Sequence, residues 1–141
     1  MTPTKAADHA ALLLRLTLGV AFLAHAGLKL FVFTLPGTVA FFESIGYPGV
    51  FAYVVTFAEL AGGLALIAGF QVRLVSLLAV PILLGALVQH AGNGWMFANA
   101  GGGWEFPAFW AATLVVQALL GDGAFALKLP SPVRLVAAAQ S

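Results

Sequence analysis

Three ionisable residues, His25, Lys29 and Glu59, fall inside stretches otherwise apolar enough to cross a bilayer. A charge at membrane depth is costly, and where one is kept it is usually paired or functional. His25 and Lys29 are four residues apart, so they share one face of a helix. Glu59 comes three and four residues before Gly62 and Gly63. That spacing sets two positions without side chains on the carboxylate's own face, where a neighbouring helix or a flat ligand could come close. Ala58, Ala61 and Ala65 extend this small-residue surface. An ammonium or an imidazole can donate to a carbonyl oxygen, and an imidazole or a carboxylate can pass protons. The chemistry open to such a set is hydrogen bonding and proton exchange with a ligand at membrane depth. The alternative is structural: a Lys29–Glu59 pair that holds two helices in register.

The elements that must position these groups are helices in lipid. The 141 residues are 62% hydrophobic and 8% charged, against roughly 45–50% and about 25% in a soluble domain. So short a chain could not hide that much apolar surface from water. We read one all-α membrane domain over residues 1–141, a four-helix transmembrane bundle with spans at about 12–33, 50–70, 72–89 and 105–120. Pro81 predicts a kink in the third span, because it frees the carbonyl of Leu77. Val39, Phe41, Phe42 and Ile45, with Glu43 and Ser44, predict a short interfacial helix between spans one and two. Lys5, an apolar run and Ala24-His25-Ala26 imitate a cleavable signal, but Arg15 interrupts the run and the apolar pattern continues past Ala26. There is no cysteine, which removes disulfides, thiolate metal sites and iron–sulfur ligation, so no metal site is assigned. A formal net charge of +1 argues against nucleic acid as a partner.

Orientation follows from Lys and Arg. With the N-terminus inside, Lys5, Arg15, Arg73, Lys128 and Arg134 lie at the inner side and only Lys29 near the outer side, so both termini face the cytoplasm. At ~1.5 Å per residue, His25 is roughly 10–12 Å, Lys29 roughly 6 Å and Glu59 about 13 Å below the outer boundary. His90 ends the third span and Glu105 begins the fourth, so separate helices deliver these groups to the same outer half, with Asn93 just beyond. Candidate catalytic residues are His25, Lys29 and Glu59. The candidate ligand-contacting set adds Gly62, Gly63, His90, Asn93, Trp104 and Glu105. Tyr47, Tyr53, Trp95, Trp104 and Trp110 also read as an outer aromatic belt. Arg15 with Asp122 reads as a structural pair at the inner boundary, and Gln117 as a bond across helices.

These residues carry a family resemblance. His25-Ala26-Gly27-Leu28-Lys29-Leu30 resembles the His-Gly-x-x-Lys-Leu pattern of the DoxX family, with one residue inserted after the histidine. Ala58-Glu59-Leu60-Ala61-Gly62-Gly63 is similar to its Ala-Glu-Leu-x-Gly-Gly segment. His90-Ala91-Gly92-Asn93-Gly94-Trp95 is similar to its His-x-x-Asn-Gly-aromatic turn, and Gly103-Trp104-Glu105-Phe106-Pro107 to its Gly-x-Glu-aromatic-Pro start of the last helix. The resemblance implies a small four-helix subunit of the bacterial inner membrane. It implies a link to an oxidoreductase system, notably quinone-dependent thiosulfate oxidation, and a soluble redox partner.

Other classes stay open beside the quinone-linked reading. A non-catalytic anchoring or assembly subunit would use the same charges for register and its outer loops for docking a partner protein. A haem b carrier would use His25 and His90 as axial ligands. A proton or small-solute transporter also fits intramembrane charge, though no inverted repeat is evident. Self-association is not decided by the sequence. Gly101-Gly102-Gly103 is followed by no Lys-Ser or Lys-Thr, which excludes a phosphate loop.

Overall fold

The computed structural model describes residues 2–128, with the side chain of residue 3 left aside; Arg134, counted above for orientation, lies outside them. Among the described residues there are five α-helices and no strand: α1 Pro3–Gly27, α2 Leu35–Ser44, α3 Val50–Ala68, α4 Val72–His90 and α5 Glu105–Leu120. Three segments are long and apolar enough to cross a membrane, Thr4–Val32, Val50–Ala68 and Val72–Asn93; α5 is apolar but shorter. The long helices α3 and α4 match the expected spans to within two residues. Helix α1 starts nine residues before the expected span, because Thr2 caps it by accepting from the Lys5 amide and Pro3 occupies its first turn. It then runs unbroken through Ala24-His25-Ala26. Helix α4 continues through Pro81, which is exposed on its outer surface.

α1 packs on α3 and α5, and α4 packs on α3 and α5, so four helices close a ring, while α2 lies against α3. Leu18, Phe22, Leu66, Val72, Ala79, Leu83, Trp110, Ala111 and Leu114 fill the centre. Much of the outward surface is large and apolar, including Leu13, Val20, Phe57, Leu64, Leu78, Val88, Phe109 and Leu119. Such a surface is stable against lipid and not against water.

The two ends of the bundle are built differently. At the end that carries the N-terminus, Gly69 closes α3 in the left-handed conformation and α4 begins at Val72. Arg15, 1% exposed, reaches across from α1. Its Nη1 donates to the carbonyls of Leu66 and Ile67, and its Nη2 to that of Ala124. The expected Arg15–Asp122 pair is therefore corrected. The guanidinium caps the last turn of α3, donating to Leu66 O beside the Gly69 amide and to Ile67 O. Gln117 is corrected too: its Nε2 donates to Gly121 O, at the end of its own helix.

At the other end, α1 passes into a π-helical turn, Leu28–Val32, which contains Lys29. Thr38 of α2 is buried and donates to the carbonyls of Lys29 and Thr34, tying α2 to that turn. The loop from α4 to α5 opens with a 3-10 turn, Ala91–Asn93, and folds back on itself, with the Trp104 amide donating to Gly94 O and the Glu105 amide to Trp95 O.

Gly62 and Gly63 prove to do different things. A Cβ on Gly63 would lie 2.9 Å from Gly19 O and 2.9 Å from the Leu23 side chain, whereas one on Gly62 would meet nothing nearer than Val75 Cγ1 at 3.8 Å. Gly63 with Gly19 therefore sets how closely α1 and α3 approach. Gly63→Ala is expected to destabilise the bundle by about 1–3 kcal/mol through overpacking. Gly62→Ala should be neutral or stabilising by up to about 1 kcal/mol, because alanine is the better helix former. Unfolding of both variants in mild detergent checks the contrast.

Candidate functional site

The site is built where α1, α3, α4 and α5 deliver polar side chains to the loop-rich end. Lys29 Nζ donates to both carboxylate oxygens of Glu59, at 2.9 Å and 2.8 Å. The two side chains are 17% and 7% exposed. This is the one ion pair among the described residues. Its bidentate geometry and its near-burial make each partner the other's solvation.

His25 does not join this pair by a hydrogen bond. Its Nδ1 is 2.9 Å from Ala21 O, one turn back on its own helix. Its ring stands edge-on to Trp110 (centroids 4.8 Å apart, planes at 62°) and stacks over Phe106 (6.5 Å, 20°). Residues four apart on a helix are offset by about 40° around its axis. Here that offset separates the two groups: Lys29 turns to α3 and His25 to α5. The common face read from the sequence holds, but it serves two neighbours.

On the α5 side lies a half-open cleft of about 440 Å³, lined by His25, His90, Phe97, Gly101, Gly102, Gly103, Phe106 and Pro107. His90 and Asn93 shape its rim. His90 Nδ1 lies 3.1 Å from Gly101 O and 3.0 Å from Gly102 O, and Asn93 Nδ2 donates to the same two carbonyls. Gly102 holds the left-handed conformation (φ +77°) that presents its carbonyl to both. Glu105 accepts from the Phe97 amide at 3.2 Å, and Trp104 packs edge-on against Trp95 at 4.5 Å. These four residues fix the loop that walls the cleft.

The structure thus divides the nine residues named from the sequence. Lys29 and Glu59 form an ion pair. His25 and His90 face one cleft. Asn93, Trp104 and Glu105 hold its wall, Gly63 packs against α1, and Gly62 faces Val75 of α4. Sequence reasoning did not name Phe97, Phe106, Pro107 or the carbonyls of the glycine run as ligand contacts, although Phe106 and Pro107 lie in the motif that opens the last helix. Phe106 was within reach of it, since Phe106 and Trp110 are four apart on α5 and share a face. Nothing local in the glycine run announces the His90 and Asn93 clasp.

The sequence profile of the DoxX family matches residues 10–92. A relative from Bacillus subtilis (strain 168), named "Putative oxidoreductase CatD", is 36% identical over 116 residues, 82% of each chain. The chain belongs to the DoxX family. No solved structure matches it. The profile match runs from within α1 into the turn after α4, and so includes His25, Lys29, Glu59 and His90. The wall residues Trp104, Glu105 and Phe106 lie beyond it.

If the Lys29–Glu59 pair is chiefly a structural bond of this DoxX bundle, Lys29→Ala or Glu59→Ala leaves one charge buried without a partner. Each is expected to cost about 3–5 kcal/mol. The exchanged pair Lys29→Glu with Glu59→Lys should recover most of that loss, read as the unfolding midpoint in lipid-like detergent. Singles that melt with the wild type would sink this assignment.

Proposed function

We propose that this DoxX protein is a four-span subunit of a quinone-linked oxidoreductase system in the bacterial inner membrane, and that its cleft takes a quinone-class ring. The observation that carries the reading is the cleft itself, which sets imidazoles from two different helices around one largely apolar, aromatic-walled volume. Its size falls within the roughly 300–1,000 Å³ of small-molecule sites. The Phe97 and Phe106 rings lie 5.7 Å apart at one wall and offer faces to a flat ligand. The naming of the Bacillus relative as an oxidoreductase supports a redox role. Since the chain has no cysteine, electrons would come from or pass to a partner protein.

The membrane arrangement belongs to the same proposal. Lys5, Arg15, Arg73 and Lys128 gather at the end with the N-terminus and Lys29 at the other, which supports cytoplasmic termini and an outward-facing cleft. The 16 residues of α5 extend about 24 Å, enough to span with local thinning of the bilayer. α2, exposed on much of its surface and tethered through Thr38, is placed to lie in the outer interface.

In this reading, Lys29 and Glu59 keep the wall between α1 and α3 fixed while His25 and His90 touch the ligand. The ion pair is also the observation that favours an anchoring or assembly role, since both charges are spent on each other. The test is binding. Native mass spectrometry from gentle detergent, with titration of a short-chain quinone and its quinol, should show saturable binding of at least one form. Phe97→Ala with Phe106→Ala should weaken that binding about tenfold, as expected for two stacking contacts. Absence of saturable binding of either form, or a co-purifying haem in its place, overturns the proposal.

A further inference from the structure

The hydrogen bonds of the two histidines also set which of their nitrogens can meet a ligand. His25 Nδ1 faces Ala21 O, and His90 Nδ1 faces Gly101 O and Gly102 O. A carbonyl oxygen only accepts, so in each neutral ring Nδ1 carries the proton and Nε2 keeps its lone pair. These partners come from unrelated parts of the chain, one from the preceding turn of α1 and the other from the glycine loop. They fix the same tautomer at both positions. Two side chains of the cleft with ring nitrogens are thereby both turned into acceptors.

We propose, resting on the quinone-class reading above, that the cleft is selective for the reduced, dihydroxy form of the aromatic ring. A hydroquinone carries hydroxyl groups that donate, and each Nε2 accepts from one of them. A quinone carries only carbonyl acceptors, which would set lone pair against lone pair at both histidines. Ring stacking on Phe106 and packing in the cleft are alike for the two forms. The difference therefore falls on the hydrogen bonds. His25 and His90 are ligand-binding residues in this scheme. The carbonyls of Ala21, Gly101 and Gly102 act through them and choose the tautomer.

The test uses the full chain in lipid nanodiscs under anaerobic conditions. Three probes are titrated: a short-chain hydroquinone, the matching quinone, and the hydroquinone's dimethyl ether, which has the same ring but no hydroxyl donor. The hydroquinone should bind at least about tenfold more tightly than either of the others, the effect of losing two hydrogen bonds of ordinary strength. His25→Phe and His90→Phe should each lower hydroquinone affinity about fivefold while leaving quinone affinity within about twofold. The three-probe comparison on the unmodified protein needs no variant, so a failure of His90→Phe to fold leaves it intact. Equal binding of the three probes, or tighter binding of the quinone, overturns the selectivity while leaving a quinone-class site in place. No binding of any probe overturns both readings.

Discussion

Everything in this bundle depends on how charge is held where no water reaches it. An isolated ionised group in the apolar interior would cost several kcal/mol or more, and backbone carbonyls at helix ends carry a similar liability. The protein meets both demands with short-range partners. Lys29 and Glu59 satisfy each other at 2.8–2.9 Å. Arg15, the most buried cation among the described residues, donates through Nη1 and Nη2 to three backbone carbonyls and at the same time caps the end of α3, while its Nε is buried without a partner. In both cases the charge joins α1 to α3, and the Gly19–Gly63 contact lies between them. The α1–α3 seam is thus fixed electrostatically at two depths and sterically at one.

That seam explains why the loop-rich end can be open elsewhere. On the opposite side of α1 the contacts to α5 are aromatic: Phe22 against Trp110 at 4.7 Å, His25 against Trp110 and Phe106. Ring contacts of this kind bury large areas without demanding directional partners. Beyond Phe106 the packing gives way to the cleft. The wall is a loop rather than a helix, held by side chains from both of its ends, His90 of α4 and Asn93 of the 3-10 turn after it at one end and Glu105 of α5 at the other. Loop-built walls on rigid scaffolds are where binding residues concentrate. A tightly joined seam on one side and a loop-closed gap on the other leave the cleft open without interrupting the helix packing.

Much of the architecture was legible in the residues. The bounds of α3, α4 and α5 follow from apolar run length and from the glycines and turn residues that interrupt it. Lys29 and Glu59 could be paired because only a partner makes either tolerable at that depth. What was not legible depends on side-chain reach. Arg15 was assigned to Asp122 by opposite charge, yet α3's terminal carbonyls were nearer, and carbonyls leave no mark in a sequence. Gly62 and Gly63 read as one small-residue patch, yet 100° of helix rotation sends one toward α4 and the other into α1. His25 was grouped with Lys29 by its spacing of four, and the residual offset around the helix gave it to α5. The wall of the cleft escaped for a similar reason: its clasp uses backbone oxygens whose direction is set by loop conformation.

The separation of His25 from the ion pair has a chemical consequence. Were His25 bonded to Glu59, its Nδ1 or Nε2 would be drawn into a charged network and its tautomer would answer to the carboxylate. Instead the charges of Lys29 and Glu59 cancel within one contact, and the imidazole one turn away takes its orientation from a neutral carbonyl. The same holds for His90, which is oriented by two neutral carbonyls of the glycine loop. A cleft whose two imidazoles are each oriented through Nδ1 by backbone carbonyls keeps a fixed hydrogen-bonding character at Nε2. In the proposed reading, a ring entering it would meet a directional choice between donor and acceptor. The ion pair contributes to this site from beside it: it joins α1 to α3, and neither of its side chains takes a hydrogen bond from His25 or His90.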